Sequence, residues 1–303
     1  MALLKNKNNQ LRNSLQFKTI SISNFVLVDL CYDPINSTLI ISNDTALDSK
    51  TCVCDIEDGS ECIRVQSGVN FTILNSEITA TDEHIGRGIE LEKNSTLHVT
   101  NVRINKFKSS VIYARNVGVS NVTIEGCDIS DNINTTDSVI SITRSLGYLK
   151  ITNSLFDNNS GLLNGGAVSF NYSREMNITN TNFTNNKAAG VSGSGGAVSV
   201  AFSNVLTIDK CQFESNEAIY RGGGLWVGNV TRGVIKSSQF LNNTAVYGGG
   251  IFYYNGSLTV SNDVVIKGNV ATGSRGNGVY CFSLIGITLP EPPIDDDTNC
   301  FPI

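Results

Sequence analysis

Two short patterns of apolar and polar residues alternate along most of the chain. The first is an apolar residue, two variable residues and an asparagine, and it begins at Ile129, Phe156, Phe183, Phe213, Phe240 and Ile266, with weaker copies at Ile78 and Ile104. The second is a small-residue pair before a short apolar strand: Gly165-Gly-Ala-Val168, Gly195-Gly-Ala-Val198, Gly222-Gly-Gly-Leu225, Gly248-Gly-Gly-Ile251 and Gly276-Asn-Gly-Val279. Earlier copies keep only the apolar residue, at Ile63, Ile89, Ile112 and Ile140. Both patterns advance together, so they belong to one repeating unit.

The period of these patterns predicts the architecture. Successive copies of the first pattern lie 26, 25, 27, 27, 30, 27 and 26 residues apart, and no helical spacing is sustained. Three short strands and three turns need about 25 residues, which is one coil of a parallel β-helix. We therefore expect an all-β fold, a right-handed parallel β-helix solenoid of about ten coils, over residues 25–282. Residues 1–24 are expected to be an N-terminal tail or incomplete cap, and residues 283–303 a C-terminal tail or cap.

Further columns of like residues keep the same phase. Two residues before each Phe or Ile lies a mostly small residue: Ser76, Val102, Cys127, Ser154, Thr181, Cys211 and Ser238. Three residues further back lies a β-branched residue: Ile73, Val99, Ile124, Ile151, Ile178, Ile208 and Ile235. At the corners, asparagine tolerates left-handed backbone and can stack into ladders, and the glycine pair relieves crowding. These columns are expected to form the interior and the corners of the solenoid.

The register divides the eight cysteines. Cys127 and Cys211 fall in the small inward column three coils apart, about 14 Å, which is beyond disulfide reach, so we expect buried free thiols. The remaining cysteines are disulfide candidates with open pairing: Cys31, Cys52, Cys54, Cys62, Cys281 and Cys300. Zinc is the alternative for the N-terminal four, but the Cys-x-Cys spacing and the lack of histidine there disfavour it. No metal site is therefore predicted.

Composition and sequence motifs indicate the compartment. The net charge is −5 and no Lys/Arg cluster stands out along the chain, which disfavours nucleic acid as a partner. No apolar stretch is long enough for a transmembrane segment, and the first residues do not read as a signal peptide. Thirteen Asn-x-Ser/Thr sequons nevertheless indicate a glycosylated extracellular or cell-surface protein, so we expect a chain that lacks its N-terminus. The predicted glycosylation sites are Asn36, Asn43, Asn70, Asn94, Asn121, Asn134, Asn158, Asn171, Asn177, Asn182, Asn229, Asn242 and Asn255.

The alternation of Gly-Gly-Ala-Val with Phe-x-x-Asn resembles the repeats of polymorphic outer-membrane proteins on the chlamydial surface. It also resembles the right-handed β-helix, pectin-lyase-like proteins that many protists encode, and the dense sequons favour that group. The resemblance is good from Asn153 to Tyr280 and weaker before it. What it implies is a surface-exposed or adhesive domain.

Many parallel β-helices cleave polysaccharides, so catalysis is the alternative function for this fold. Inverting hydrolysis needs an acid and a base on one face, about 6.5–9.5 Å apart. The Asn-x-Asp, Asp-Asp, Gly-His-Gly and Arg-x-Lys elements of polygalacturonases are missing from successive coils, and the two histidines, His84 and His98, have no carboxylate cluster in phase. The acids on adjacent coils, Asp128, Asp131 and Asp157, are not continued further along the repeat. We predict no catalytic residue and no cofactor, and keep a polysaccharide lyase or glycoside hydrolase as the alternative.

The residue after each second-pattern apolar position should point outward. In successive coils it is Ser169, Ser199, Trp226, Phe252 and Tyr280. The three aromatic residues predict an exposed stack, with Tyr220 and Tyr247 as a second pair at the preceding corner, and such rings bind sugars or proteins. The interpretation favoured over exposure is that the tail, Ser283 to Ile303, folds back and covers these rings as a cap, because the stack lies at the C-terminal end of the solenoid. The leading hypothesis is a non-catalytic surface or secreted β-helix for adhesion, display or binding of glycans or host and cell-surface proteins. A structural segment of a longer membrane-anchored protein is a further alternative.

Overall fold

The chain forms a parallel β-solenoid in which each strand, apart from those at the ends of the sheets, pairs with its counterparts one turn before and one turn after. The computed structural model describes residues 35, 37–56, 59–133, 137–282, 286–289 and 298–300. Each turn runs through three long sheets, here sheets I, II and III, and most later turns add a short strand of sheet IV. Sheet III has nine strands, so nine turns are complete; sheets I and II each add a tenth strand, and sheet I adds an eleventh.

The strands are numbered in chain order. Sheet I comprises β1 (Leu39–Ile41), β4 (Ile63–Val65), β7 (Ile89–Leu91), β10 (Ile112–Gly118), β13 (Ile140–Ser145), β17 (Val168–Asn171), β21 (Val198–Ala201), β25 (Leu225–Gly228), β29 (Ile251–Tyr253), β33 (Val279–Cys281) and β35 (Thr298–Cys300). Sheet II comprises β2 (Thr45–Asp48), β5 (Asn70–Leu74), β8 (Thr96–Thr100), β11 (Asn121–Glu125), β14 (Tyr148–Thr152), β18 (Glu175–Thr179), β22 (Val205–Asp209), β26 (Val230–Lys236), β30 (Gly256–Val260) and β34 (Ile287–Thr288).

Sheet III comprises β3 (Thr51–Cys54), β6 (Glu77–Ala80), β9 (Arg103–Asn105), β12 (Asp128–Ser130), β15 (Leu155–Asp157), β19 (Asn182–Thr184), β23 (Gln212–Glu214), β27 (Gln239–Leu241) and β31 (Val265–Lys267). Sheet IV comprises β16 (Ser160–Gly161), β20 (Lys187–Ala188), β24 (Glu217–Ala218), β28 (Thr244–Tyr247) and β32 (Val270–Arg275). Strands β34 and β35 fall within the expected C-terminal tail and extend sheets II and I. The expected N-terminal tail, residues 1–24, lies outside the described residues.

The strand register confirms the predicted columns. On sheet III, Ile129 pairs with Phe156, which pairs with Phe183, and the column continues to Ile266. On sheet II, Ile124, Ile151 and Ile178 are in register, as are the first apolar residues of the second pattern on sheet I. These side chains are buried and form one core along the axis. Inside this core the phenyl rings of four successive turns stack on one another, with 4.6–4.9 Å between neighbouring ring centroids; they belong to Phe156, Phe183, Phe213 and Phe240.

A buried asparagine ladder follows sheet III. Its members are Asn132, Asn159, Asn186, Asn216, Asn243 and Asn269. Each of the first five donates an Nδ2–H to the Oδ1 of the next, and all six also donate to a backbone carbonyl of the preceding turn, as Asn186 does to Phe156. The left-handed backbone at this corner belongs to the preceding residue, for example Asn158 and Asn185, not to the ladder asparagine. The predicted asparagine ladder is therefore confirmed, but the prediction that its asparagines adopt the left-handed backbone is wrong.

The glycine pairs serve two different needs. The first glycine has a positive φ, as at Gly222 with 62°. The second lies against the neighbouring turn, because a Cβ on Gly223 would come within 2.3 Å of the Gly249 carbonyl oxygen. A side chain at the second position would therefore push adjacent turns apart.

The cysteines separate as the register predicts. Cys127 and Cys211 are buried free thiols. Cys54 and Cys62 form a disulfide with 5.7 Å between their Cα atoms, and Cys52 is also disulfide-bonded, so these three are not zinc ligands. Cys281 is disulfide-bonded as well. Cys31 lies outside the described residues, and only the backbone of Cys300 is described, paired with Cys281.

Candidate binding face on sheet I

The outer face of sheet I presents one continuous column of residues. In register they are Tyr113, Ser141, Ser169, Ser199, Trp226, Phe252 and Tyr280. Their neighbours on each strand belong to the core, and successive side chains of a strand point to opposite faces. The column therefore faces away from the core, as the sequence predicts for its last five members.

The predicted aromatic residues meet in one cluster at the C-terminal half of this face. Phe252 stacks on Tyr280 with centroids 5.1 Å apart, and Tyr247 contacts Tyr280 at 5.7 Å. Tyr220 meets Tyr247 edge to face at 5.6 Å, so the two expected groups are one. The guanidinium of Arg221 lies 4.3 Å from the Tyr220 ring centroid and 5.1 Å from that of Phe252.

The expected exposure of this stack is wrong for two of its rings. Phe252 is 1% exposed and Tyr280 is 6% exposed, whereas Trp226, Tyr220 and Tyr247 are half-buried. Residues of the preceding corners, including Arg221, pack over the outer face and cover them. We call Tyr220, Trp226, Tyr247, Phe252 and Tyr280, with Arg221, the aromatic cluster.

Three polar atoms in and beside the aromatic cluster have no hydrogen-bond partner among the described residues. They are the Oγ of Ser199, the Nε of Arg221 and the Nε1 of Trp226, all buried. Ser199 and Trp226 are direct neighbours in the strand register. Buried donors without acceptors are costly, and an acceptor from outside the chain would relieve that cost.

A polar groove occupies the N-terminal half of the same face. Its cavity volume is about 200 Å³ and its lining residues are Tyr113, Arg115, Asp137, Ser141, Thr143, Leu163, Asn164, Ser169 and Asn171. The Asp137 carboxylate accepts hydrogen bonds from the Ser138 backbone and from Ser141 Oγ at 2.8 Å. Arg87 stacks on the Tyr113 ring at 3.6 Å and pairs with Glu90, which orients that ring. The groove combines a fixed aromatic ring with hydroxyl, amide and guanidinium groups.

Of the groove residues, the sequence placed only Ser169 on this face and did not predict the groove. The glycine signal is absent from the coils of Tyr113 and Ser141, so their outward positions could be found only by extending the register from Ile112 and Ile140. That extension would have marked Tyr113 as another aromatic residue of the column.

The lining of the groove contains few ionisable groups. Asp137 is the one carboxylate among its lining residues, whereas acid–base hydrolysis needs two. Asp131 and Asp157 instead accept hydrogen bonds from corner asparagines, and Asp128 lies 3.7 Å from Arg103. His84 is buried at the N-terminal end of the stack, between backbone groups of Ile56 and Arg87, and burial lowers its pKa. In the described part of the chain, no group of three or more His, Cys, Asp or Glu residues is placed to hold a metal ion.

The sequon asparagines lie on the surface. Seven are exposed: Asn43, Asn70, Asn94, Asn158, Asn182, Asn242 and Asn255. Four are half-buried: Asn121, Asn171, Asn177 and Asn229. Asn36 and Asn134 lie outside the described residues. None of the buried ladder asparagines begins a sequon. In several of them the third sequon position, where Ser or Thr is required, holds a buried alanine such as Ala188 or Ala218.

Comparison with known proteins yields one match. The family model described as a right handed beta helix region matches residues 50–198 and 118–286, which overlap and together span more than half of the 303 residues. A search of curated proteins and a search of solved structures each gave no match. Among the described residues, no helix is long and apolar enough to cross a membrane.

Proposed function

Because the chain belongs to the right-handed β-helix region family, whose scaffold carries many chemistries, we propose that its own function resides on the outer face of sheet I. There it acts as a non-catalytic extracellular or cell-surface β-helix that binds glycans. The groove beside Tyr113 carries this proposal, since it offers an aromatic ring and several uncharged hydrogen-bonding groups around a single carboxylate. Sugar-binding sites combine these two kinds of contact.

The placement of the sequons supports the extracellular part of the proposal. None of the eleven described sequon asparagines is buried, so a glycan at any of them would extend into solvent. At least one disulfide near the N-terminal end, Cys54–Cys62, is also typical of an oxidising compartment. The test is secretion from eukaryotic cells followed by mass spectrometry of the deglycosylated peptides. A chain that is secreted yet unmodified at Asn70, Asn94 and Asn182 would contradict it.

The binding experiment uses the secreted full chain on an array of oligosaccharides and on cell surfaces. Arg115→Ala with Thr143→Ala removes groove contacts from two exposed or half-buried positions without touching the core. Thr123→Ala with Lys150→Ala is the matched control, since these residues pair in register on the outer face of sheet II. We expect the groove variant to lose about tenfold in affinity and the control to keep it.

The enzymatic alternative has its own outcome in the same preparation. Incubation with polysaccharides, followed by measurement of new reducing ends and unsaturated sugars, tests for cleavage. Cleavage that disappears in Asp137→Asn would establish catalysis in the groove and refute a purely binding role. Equal binding by the groove variant and the control would remove the groove from the proposal.

A further inference from the structure

The corner between sheets I and II holds bulky residues in left-handed backbone. In successive turns Arg144, Tyr172 and Phe202 have φ values of 58°, 51° and 50°. The two rings stack in parallel at 4.5 Å, yet Tyr172 is 53% exposed and Phe202 is 48% exposed. This backbone is strained for large side chains, and neither ring gains burial in the core in return. Such strain at exposed aromatic residues indicates a contact surface.

Arginines line the same corner, in four of five successive turns. Arg115, Arg144, Arg174 and Arg232 are all exposed, and none of them forms an ion pair with a residue that the structure describes, although Arg144 lies 3.5 Å from the Asn116 amide oxygen. Elsewhere, Arg64, Arg87 and Arg103 are paired with carboxylates. We call Arg115, Arg144, Arg174, Arg232, Tyr172 and Phe202 the arginine corner.

The strand register places these side chains along the solenoid axis. Arg144 follows Thr143, which pairs with Asn171 just before Tyr172, and the Arg174 amide donates to the Ser145 carbonyl. Arg232 pairs with Val205, which pairs with Glu175. Four steps of about 4.8 Å separate the turn of Arg115 from that of Arg232, so the corner extends about 19 Å.

Two carboxylates lie near the corner. Glu175 accepts a hydrogen bond from Asn177 and Asp137 accepts one from Ser141, and both keep their charge because these donors are neutral. Four arginines against these two carboxylates leave the arginine corner a net positive strip on a chain whose net charge is −5. A long positive strip with intervening rings fits a linear polyanion, since guanidinium groups bind oxyanions in bidentate fashion and rings stack on apolar faces.

We infer that the arginine corner binds a linear sulfated polysaccharide that lies parallel to the solenoid axis. This inference rests on the proposed extracellular glycan-binding function and names a ligand class and a second site for it. A sulfated glycan is favoured over an anionic membrane because the corner is one narrow edge: its charges follow a line about 19 Å long. The anionic membrane is an outcome of the test.

The experiment measures binding of the full secreted chain to immobilised heparin over a range of salt concentrations. N-glycans are removed first, because the sequons at Asn171 and Asn229 flank the corner. The triple variant Arg144→Gln, Arg174→Gln, Arg232→Gln removes three corner charges. The matched control is Lys150→Gln, Lys210→Gln, Lys267→Gln, which removes three exposed charges from other faces. Arg115 is kept because it also lines the groove, so the triple variant leaves the groove lining intact and tests the corner by itself.

We expect the corner variant to bind heparin at least about tenfold more weakly, and the control to stay within about twofold. Raising the salt concentration should weaken binding of the unmodified chain and reduce the difference. Tyr172→Gly with Phe202→Gly should keep the fold, because glycine accepts the positive φ, and should still weaken heparin binding.

Any one of four results would overturn the inference. One is equal loss in the two charge variants, which would mean that only net charge matters. Another is tighter binding to phosphatidylserine vesicles than to heparin. The third is equal binding of hyaluronan, which carries carboxylates but no sulfate, and the fourth is no binding of heparin at all.

Discussion

Replacing Asn186 by alanine removes the middle of the asparagine ladder. Asn186 is fully buried, and its Nδ2 donates to the Phe156 carbonyl at 2.9 Å and to Asn216 Oδ1 at 3.0 Å. Its Oδ1 accepts from the Asn159 backbone at 3.2 Å and from Asn159 Nδ2 at 3.0 Å. The alanine variant therefore loses four hydrogen bonds across three consecutive turns.

For two of the four lost hydrogen bonds, the remaining side-chain atom keeps another partner. Asn159 Nδ2 still donates to the Ile129 carbonyl at 2.7 Å, and Asn216 Oδ1 still accepts from the backbone of residue 186 at 2.9 Å. The Asn159 backbone N–H loses its acceptor and the Phe156 carbonyl loses this donor. At about 1–3 kcal/mol for each buried group, the free energy of unfolding should fall by roughly 2–6 kcal/mol.

Urea unfolding followed by circular dichroism measures the loss. Because each turn of a solenoid contacts only its neighbours, amide hydrogen exchange should localise it to the turns around residues 156–160 and 183–188. The control is Asn185→Gly, one residue earlier, where the side chain is exposed and φ is 54°. Its free energy of unfolding should change by less than about 1 kcal/mol.

A loss below about 1 kcal/mol for Asn186→Ala would refute this reasoning. So would uniform exchange changes along the whole chain. Either result would mean that water or a backbone shift satisfies the groups that the amide now satisfies.

Three further predictions concern buried side chains. Phe213→Ala should lower the free energy of unfolding by about 3–5 kcal/mol, because its fully buried ring lies between two stacked rings, while Phe213→Leu should cost less than half of that in the same urea titration. Burial lowers the pKa of His84 from 6.5, so the folded state binds fewer protons than the unfolded state at mildly acidic pH. The free energy of unfolding should therefore fall as the pH drops below about 6.5. A His84→Gln variant that keeps the same pH dependence would contradict this. Burial raises the pKa of the Cys211 thiol to about 11 and also raises that of Cys127, so neither should react with a thiol reagent at about pH 8 until urea unfolds the chain; stoichiometric labelling of the native protein would exclude this placement.

The columns of the core could be derived from the sequence because burial restricts the residue types. An inward position on each turn accepts only a residue of suitable size and low polarity. Similar residues therefore recur at that position, as Phe156, Phe183 and Phe213 do, and the recurrence is visible in the sequence. The same constraint placed Cys127 and Cys211 in the interior as free thiols, which the structure confirms. Strand pairing then carried this register to the outward column of sheet I.

Only the tertiary structure decided what covers that outward column. Phe252 and Tyr280 alternate correctly with core residues, yet Arg221 and Tyr247 from neighbouring corners pack over or against them and leave them buried. The conformation of a corner depends on both adjacent turns, and a repeating pattern along one chain does not specify it.

The arginine corner shows the same limit on the outside of the solenoid. Arg144 and Arg174 are 30 residues apart in sequence, and no charge cluster is visible along the chain. Solvent accepts any polar residue, so outward positions carry no period by which turns of unequal length can be aligned. The hydrophobic interior therefore determined the fold from sequence alone, whereas the stacking of turns brought the groove, the aromatic cluster and the arginine corner together, because these depend on contacts between turns that solvent-facing residues do not encode.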